Sequence, residues 1–285
     1  FTDSSVIIGR SDDLDVIARG LLRVDAERNA YVGSEEDVNL LFFRANGDAR
    51  LKTTGAITRV GNFADAVRGT NIALEAAGGD IGAQDLPVRV TVLPGGSLAA
   101  RAAGDIYLEA PTSDVPLAEI YALGQASINA IEGSIFDADA GSVTDILSSS
   151  ARLFAGGDIG PLDIEFTAPG GAVLAEAGGD LTLNILGGDT VVERLAAGRA
   201  LDVTIAQGGA TLALPEAGSG ATGGSFFEGT QGVTLDINGG IVATTSLMNA
   251  FRSGGLVDII ARGDLGSVYL GGCLPPGSRH CLHPH

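Results

Sequence analysis

Tryptophan is absent from the 285 residues, methionine occurs once, histidine three times and cysteine twice. Lys52 is the only lysine among 17 basic residues, the rest being arginine. Positive charge is outnumbered: the net charge is −18 and the pI about 4.3. Such an acidic surface repels phosphate backbones, so no nucleic acid is expected as a partner. No apolar run reaches the 18 or so residues of a membrane-spanning helix. No Asn-x-Ser/Thr acceptor occurs, so N-glycosylation is not supported. A basic-then-apolar leader is lacking too, and the chain starts at Phe1; a mature form or fragment of a longer protein is expected. Cys-x-x-Cys-His, the haem attachment sequence, does not occur.

What is abundant is glycine, 43 residues, within a composition 45% hydrophobic. That is enough apolar matter for a long core. The glycines recur in one phrase. "EAAGGDIG" begins at 75, "RAAGDIYLEA" at 101, "FAGGDIG" at 154, "AEAGGDLTLNI" at 175 and "ARGDLGSVYL" at 261. The aspartates of the phrase are Asp48, Asp80, Asp105, Asp158, Asp180 and Asp264, and Arg199 takes the same slot in "AAGRALDVTI". Where the spacing is closest it corresponds to a unit of roughly 19–27 residues, the size of a solenoid repeat.

Inside each unit the hydrophobic period is two. Leu181, Leu183 and Ile185 alternate with Thr182 and Asn184; Leu201, Val203 and Ile205 alternate with Asp202 and Thr204; Val88, Val90 and Val92 repeat the pattern. Strict alternation places the apolar side chains on one face of a strand. Glycine pairs then turn the chain at 94–96, 207–209 and 238–240. A unit this short cannot form a propeller blade or a sandwich repeat. An antiparallel barrel would favour Asn-Gly or Asp-Gly hairpins, whereas Gly-Asp dominates. The expected fold is all-β, a right-handed parallel β-helix with about 22 residues per coil. Roughly 13 coils at the strand spacing of about 4.8 Å give a rod near 60 Å. Residues 1–270 would form one rod and 271–285 a cysteine-containing tail.

Two stretches interrupt the pattern. Residues 111–127 carry two prolines and read as a protruding loop. Residues 215–231 are rich in Gly and Ser and contain Phe226 and Phe227. Solenoid insertions leave at corners and often bind partners, so this pair is a candidate partner contact; filling a gap in the core is the competing reading, and the preferred one.

The phrases "AGGDIG…LDI" and "AGGDLTLNI" resemble the β-helical repeats of large secreted bacterial adhesins, the filamentous-haemagglutinin-like exoproteins of two-partner secretion, over roughly residues 45–270. The Asn-Pro-Asn motifs of that family's N-terminal secretion domain are absent here. The resemblance implies an extracellular protein at the bacterial outer-membrane surface. Its partners would be an outer-membrane transporter or cell-surface anchor, a host-cell, matrix or polysaccharide ligand, and copies of itself in filaments. Some adhesins of this class end in a cysteine-closed hook held by the transporter, and Cys273 and Cys281 in "GGCLPPGSRHCLHPH" look like such a hook. A simple terminal staple or two free thiols are the alternatives. A disulfide here agrees with an oxidising, exported setting.

Parallel β-helices also include pectin lyases and polygalacturonases, so a carbohydrate-active enzyme is the alternative function. It would need carboxylates converging in a groove. Asp12, Asp13 and Asp15 form the densest acidic cluster. The Asn-Thr-Asp, Gly-His-Gly and Arg-Ile-Lys motifs of the hydrolases are missing, and no histidine precedes His280. His280, His283 and His285 with Cys273 and Cys281 are possible soft-metal ligands, but their spacing matches no common finger. Calcium solenoids use Gly-Gly-x-Gly-x-Asp, while here Asp follows glycine directly. We therefore expect Asp80, Asp105, Asp158, Asp180 and Asp264 to be structural corners that accept backbone N–H groups. No cofactor is expected, calcium being considered and not favoured. Arg262-Gly263-Asp264 spells an integrin-recognition tripeptide, but Gly263-Asp264 is also the repeat corner, so we read it as a chance match.

Overall fold

The computed structural model describes residues 13–17, 19–139, 144–213, 226–243 and 250–264. Among these residues there is no helix. All strands belong to one sheet wound into a parallel β-solenoid, a right-handed parallel β-helix of about 11 turns with about 21 residues per turn. At the strand spacing of about 4.8 Å this is a rod roughly 50 Å long. The expected figure of roughly 13 coils counted all 285 residues, whereas these turns are those of the described residues. The step from Ile205 to Ile237 is much longer than that from Ile146 to Ile164.

Alternation places every second residue inside. One wall stacks Leu51, Leu74, Ala100, Ile120, Ile146, Ile164, Ile185, Ile205 and Ile237 directly over one another, all buried. A second wall stacks Leu108, Ile128, Leu153, Ala175, Leu195, Phe227 and Phe251. Between them the backbone bends. The strand Thr190–Ala197 pairs with Ala210–Leu212 through its first half and with Phe227–Gly229 through its second. The register shift between Val173 and Leu174 marks this bend one coil earlier. Like stacks on like, so each coil supplies the apolar template for the next.

Residues 111–127 do not form a protruding loop. Val115–Ala122 and Gln125–Ala130 are strands, and Val115, Leu117, Ile120 and Ala126 are fully buried. Pro116 lies within the wall, in register with Phe136. Proline forbids only its own N–H bond, and the alternation of its neighbours overrides it. Only the turn at 111–114 stands at the corner.

Phe226 and Phe227 are not a partner contact. Phe226 is 6% exposed and Phe227 is fully buried. The Phe227 ring stacks on Phe251 of the next coil, centroids 5.0 Å apart and planes 13° from parallel. These rings fill a stretch of core that smaller residues would leave hollow. Phe227→Ala is expected to cost about 3–5 kcal/mol of stability, read as a fall in the urea midpoint; an unchanged midpoint would point back to a surface role.

Candidate functional site

The Gly-Asp phrase marks corners that are wired along the rod axis. Asp80 Oδ1 accepts the backbone N–H of Asp105 at 2.7 Å, and Asp105 Oδ1 accepts that of Gln125 at 2.7 Å. A second file runs from Asp114 Oδ1 to Ser134 N–H (2.8 Å), from Ser134 Oγ to Asp158 N–H (3.0 Å), from Asp158 Oδ1 to Asp180 N–H (2.8 Å) and from Asp180 Oδ1 to Ala200 N–H (3.0 Å). Asp37 and Asp189 act in the same way on Ala56 and Gly209. Each side chain thus caps the same corner of the following coil. A corner N–H has no strand partner of its own, and a carboxylate is a strong acceptor for it.

The glycine follows from the same geometry. A Cβ on Gly104 would collide with Asp80 Oδ1, one on Gly124 with Asp105 Oδ1, and one on Gly179 with Asp158 Oδ1. The carboxylate that receives the N–H of one residue occupies the space where the preceding residue's side chain would stand. At these corners the Asp of one coil requires Gly in the next, whereas the cap from Asp180 to Ala200 has Arg199 in that place.

The second carboxylate oxygen varies in its use. The Tyr107 hydroxyl donates to Asp105 Oδ2 at 3.0 Å, and burial together with this bond pushes the phenol up to about 12. The Tyr31 hydroxyl donates to Asp48 Oδ2 at 3.0 Å. Asp48 differs from the others: its Oδ1 accepts from the Asn71 side chain, and its own N–H is capped by Asn29. Arg199 is the cation of its own file, its Nη2 lying 2.8 Å from both Asp158 Oδ1 and Asp180 Oδ2. Asp264, in the last described corner, accepts Ile241 N–H through its backbone carbonyl at 3.2 Å. Arg262 beside it is paired with Asp236, so the Arg-Gly-Asp tripeptide is built into a coil end.

Among the described residues no group of three or more His, Cys, Asp or Glu side chains is arranged to hold a metal ion. Of the "SDDLD" cluster, Asp13 pairs with Arg50 at 3.3 Å and Asp15 lies beside Gly33. Asp12, Cys273, Cys281, His280, His283 and His285 lie outside the described residues.

One acidic site went unnoticed in the sequence. Asp145 is 3% exposed, and its Oδ2 accepts the N–H of Asp163 at 2.7 Å. Burial raises its carboxyl to about 7; the Asp163 N–H pulls the other way, and the charges of Asp137, Asp163 and Asp139 add to the rise. Its signal was the shared dipeptide Asp145-Ile146 and Asp163-Ile164, whose isoleucines stack. A carboxylic acid poised near 7 is what general-acid chemistry uses, but this one is buried and offers no open face to a substrate.

No known protein family, curated protein or solved structure matches the chain. The likeness to haemagglutinin-type repeats therefore rests on the repeat phrases alone.

Gly179→Ala is expected to lower the urea midpoint clearly, whereas Gly20→Ala, with open space around it, is not. Asp158→Ala should cost about 1–2 kcal/mol and Asp158→Asn less, since the amide oxygen still accepts. EDTA should leave the melting temperature of the wild type unchanged; a large drop would replace corner caps with a metal. Asp145 gives a pH prediction. Its pKa is raised on folding, so its stabilising share is whole below about pH 4, is lost as pH rises to about 7, and stays lost above. Asp145→Asn should therefore stabilise the protein, by roughly 2–4 kcal/mol near pH 8 and by less near pH 5. Equal denaturation midpoints for the two proteins at both pH values would refute this.

Proposed function

We propose that the chain is the stiff β-helical stalk of a secreted bacterial surface protein, an adhesive or filament-forming module and not an enzyme. The observation that carries this reading is the uniformity of the corners. Asp or Ser caps bind the next coil again and again along the rod, most of them beside a Gly that makes room for the cap, which is the chemistry of a one-dimensional scaffold. The acidic surface keeps such rods soluble and apart from nucleic acid. In this reading the rod stands outside the outer membrane. Cys273 and Cys281 close the hook that anchors it to a transporter, and surface side chains meet a host-cell, matrix or polysaccharide ligand. No cofactor takes part.

Gold-labelled antibody against the chain is expected to decorate intact producing cells at their periphery; label seen only after permeabilisation would overturn the reading. Non-reducing peptide mapping of the same material should join Cys273 to Cys281, and two alkylatable thiols would remove the hook.

A further inference from the structure

Two Asn-Gly pairs stand at corners of the rod, Asn46-Gly47 and Asn238-Gly239. Such a pair is open to attack from within the chain. The glycine nitrogen lies next to the asparagine carboxamide, and no Cβ shields it. Both asparagines are exposed, so access to water does not separate them. What separates them is how the two reacting groups are held, since the attack needs both free to approach.

At the first corner both groups are engaged. Asn46 Nδ2 donates to the Glu27 carbonyl at 3.2 Å, and the Gly47 N–H donates to the Arg28 carbonyl at 2.7 Å. The carboxamide is tied to the preceding coil, and the nitrogen keeps its proton in a short bond. At the second corner neither group is engaged. The Asn238 carboxamide makes no hydrogen bond among the described residues, and the Gly239 N–H finds no acceptor among them. The rest of the corner is fixed. The Asn238 N–H donates to the Ile205 carbonyl at 3.0 Å, the Gly239 carbonyl accepts the Gly263 N–H at 3.0 Å, and Ile237 and Ile241 are fully buried on either side. A Cβ on Gly239 would strike the Gly208 carbonyl of the preceding coil. The winding thus requires glycine at the one position where a side chain would shield the nitrogen.

We propose that Asn238 is a site of spontaneous deamidation, at which the folded chain converts this asparagine to aspartate or isoaspartate while sparing Asn46. The Gly239 nitrogen gives up its proton to hydroxide and bonds to Asn238 Cγ. The Cγ–Nδ2 bond breaks, and ammonia leaves with a proton from water. Water then opens the cyclic imide. Addition at Cγ gives aspartate; addition at the main-chain carbonyl carbon gives isoaspartate, which routes the backbone through the former side chain. Water is the only co-reactant, and no oxidant or reductant is needed. Either product adds a negative charge at a corner whose neighbour in the next coil is Arg262-Gly263. The inference goes beyond the stalk reading and does not depend on it.

The test is to age the whole purified chain at mildly alkaline pH, once folded and once in urea, and to follow amide-to-acid conversion by tandem mass spectrometry. Trypsin separates the two sites, Asn46 in the peptide 45–50 and Asn238 in the peptide 200–252. In the folded chain Asn238 is expected to convert at least about tenfold faster than Asn46. In urea the two rates should converge, because the contrast belongs to the fold. Asn238→Gln should abolish the conversion in 200–252 and leave the melting temperature unchanged, since attack on the longer side chain must close a larger ring and the preceding coil already carries Gln207 before Gly208. Equal rates in the folded chain, faster conversion of Asn46, no conversion at Asn238, or conversion of 200–252 that survives Asn238→Gln would overturn the site. A contrast that persists in urea would assign it to the local sequence and overturn the structural argument.

Discussion

The rod depends on an interlock between an aspartate and a glycine one coil later. At a corner the strand ends and its N–H points along the axis with nothing in the chain's own turn to receive it. An oxygen from the preceding coil supplies the acceptor, as Asp158 does for Asp180. That oxygen fills the volume a side chain would need, so Gly179 must be glycine. The bond and the exclusion are one contact seen from two sides. Each repeat thereby fixes the height and register of its successor.

The inner stacks complete what the corners begin. Isoleucine over isoleucine, from Ile120 through Ile237, fills a core only one residue deep on each wall. So narrow a core tolerates little change in volume, and the Phe227–Phe251 stack fills it where two coils meet. Outside, arginine and glutamate of neighbouring coils pair across the walls, as Arg194 does with Glu176 and Glu228. These pairs are spread along the rod and ask nothing of a ligand.

Much of the fold was legible in the sequence because a solenoid writes the same instruction many times. Period-two alternation and recurrent Gly-Asp survive a few irregular units. Single signals misled. The prolines at 111 and 116 suggested a loop, yet alternation around Val115 and Leu117 held Pro116 in the wall and left only Pro111 in a turn. For Phe226 and Phe227 the Gly/Ser-rich segment raised a partner contact, and the preferred reading, that they fill the core, is what the structure shows. The buried carboxyl of Asp145 was hard to read from the sequence because its environment is set by Asp137 of its own coil and Asp163 of the next.

Strand period, corner residues and the acidic character of the surface were determined by the sequence itself, since each depends on neighbours within a few positions. The meeting of Arg23, Arg44, Phe42 and Phe63 was decided only by the tertiary structure. These residues come from successive coils, and they meet because the coil length sets which residues stack. A change of one residue in a coil would turn such a side chain inward or shift it along the wall. Charge density at a point on this rod is therefore a property of the winding.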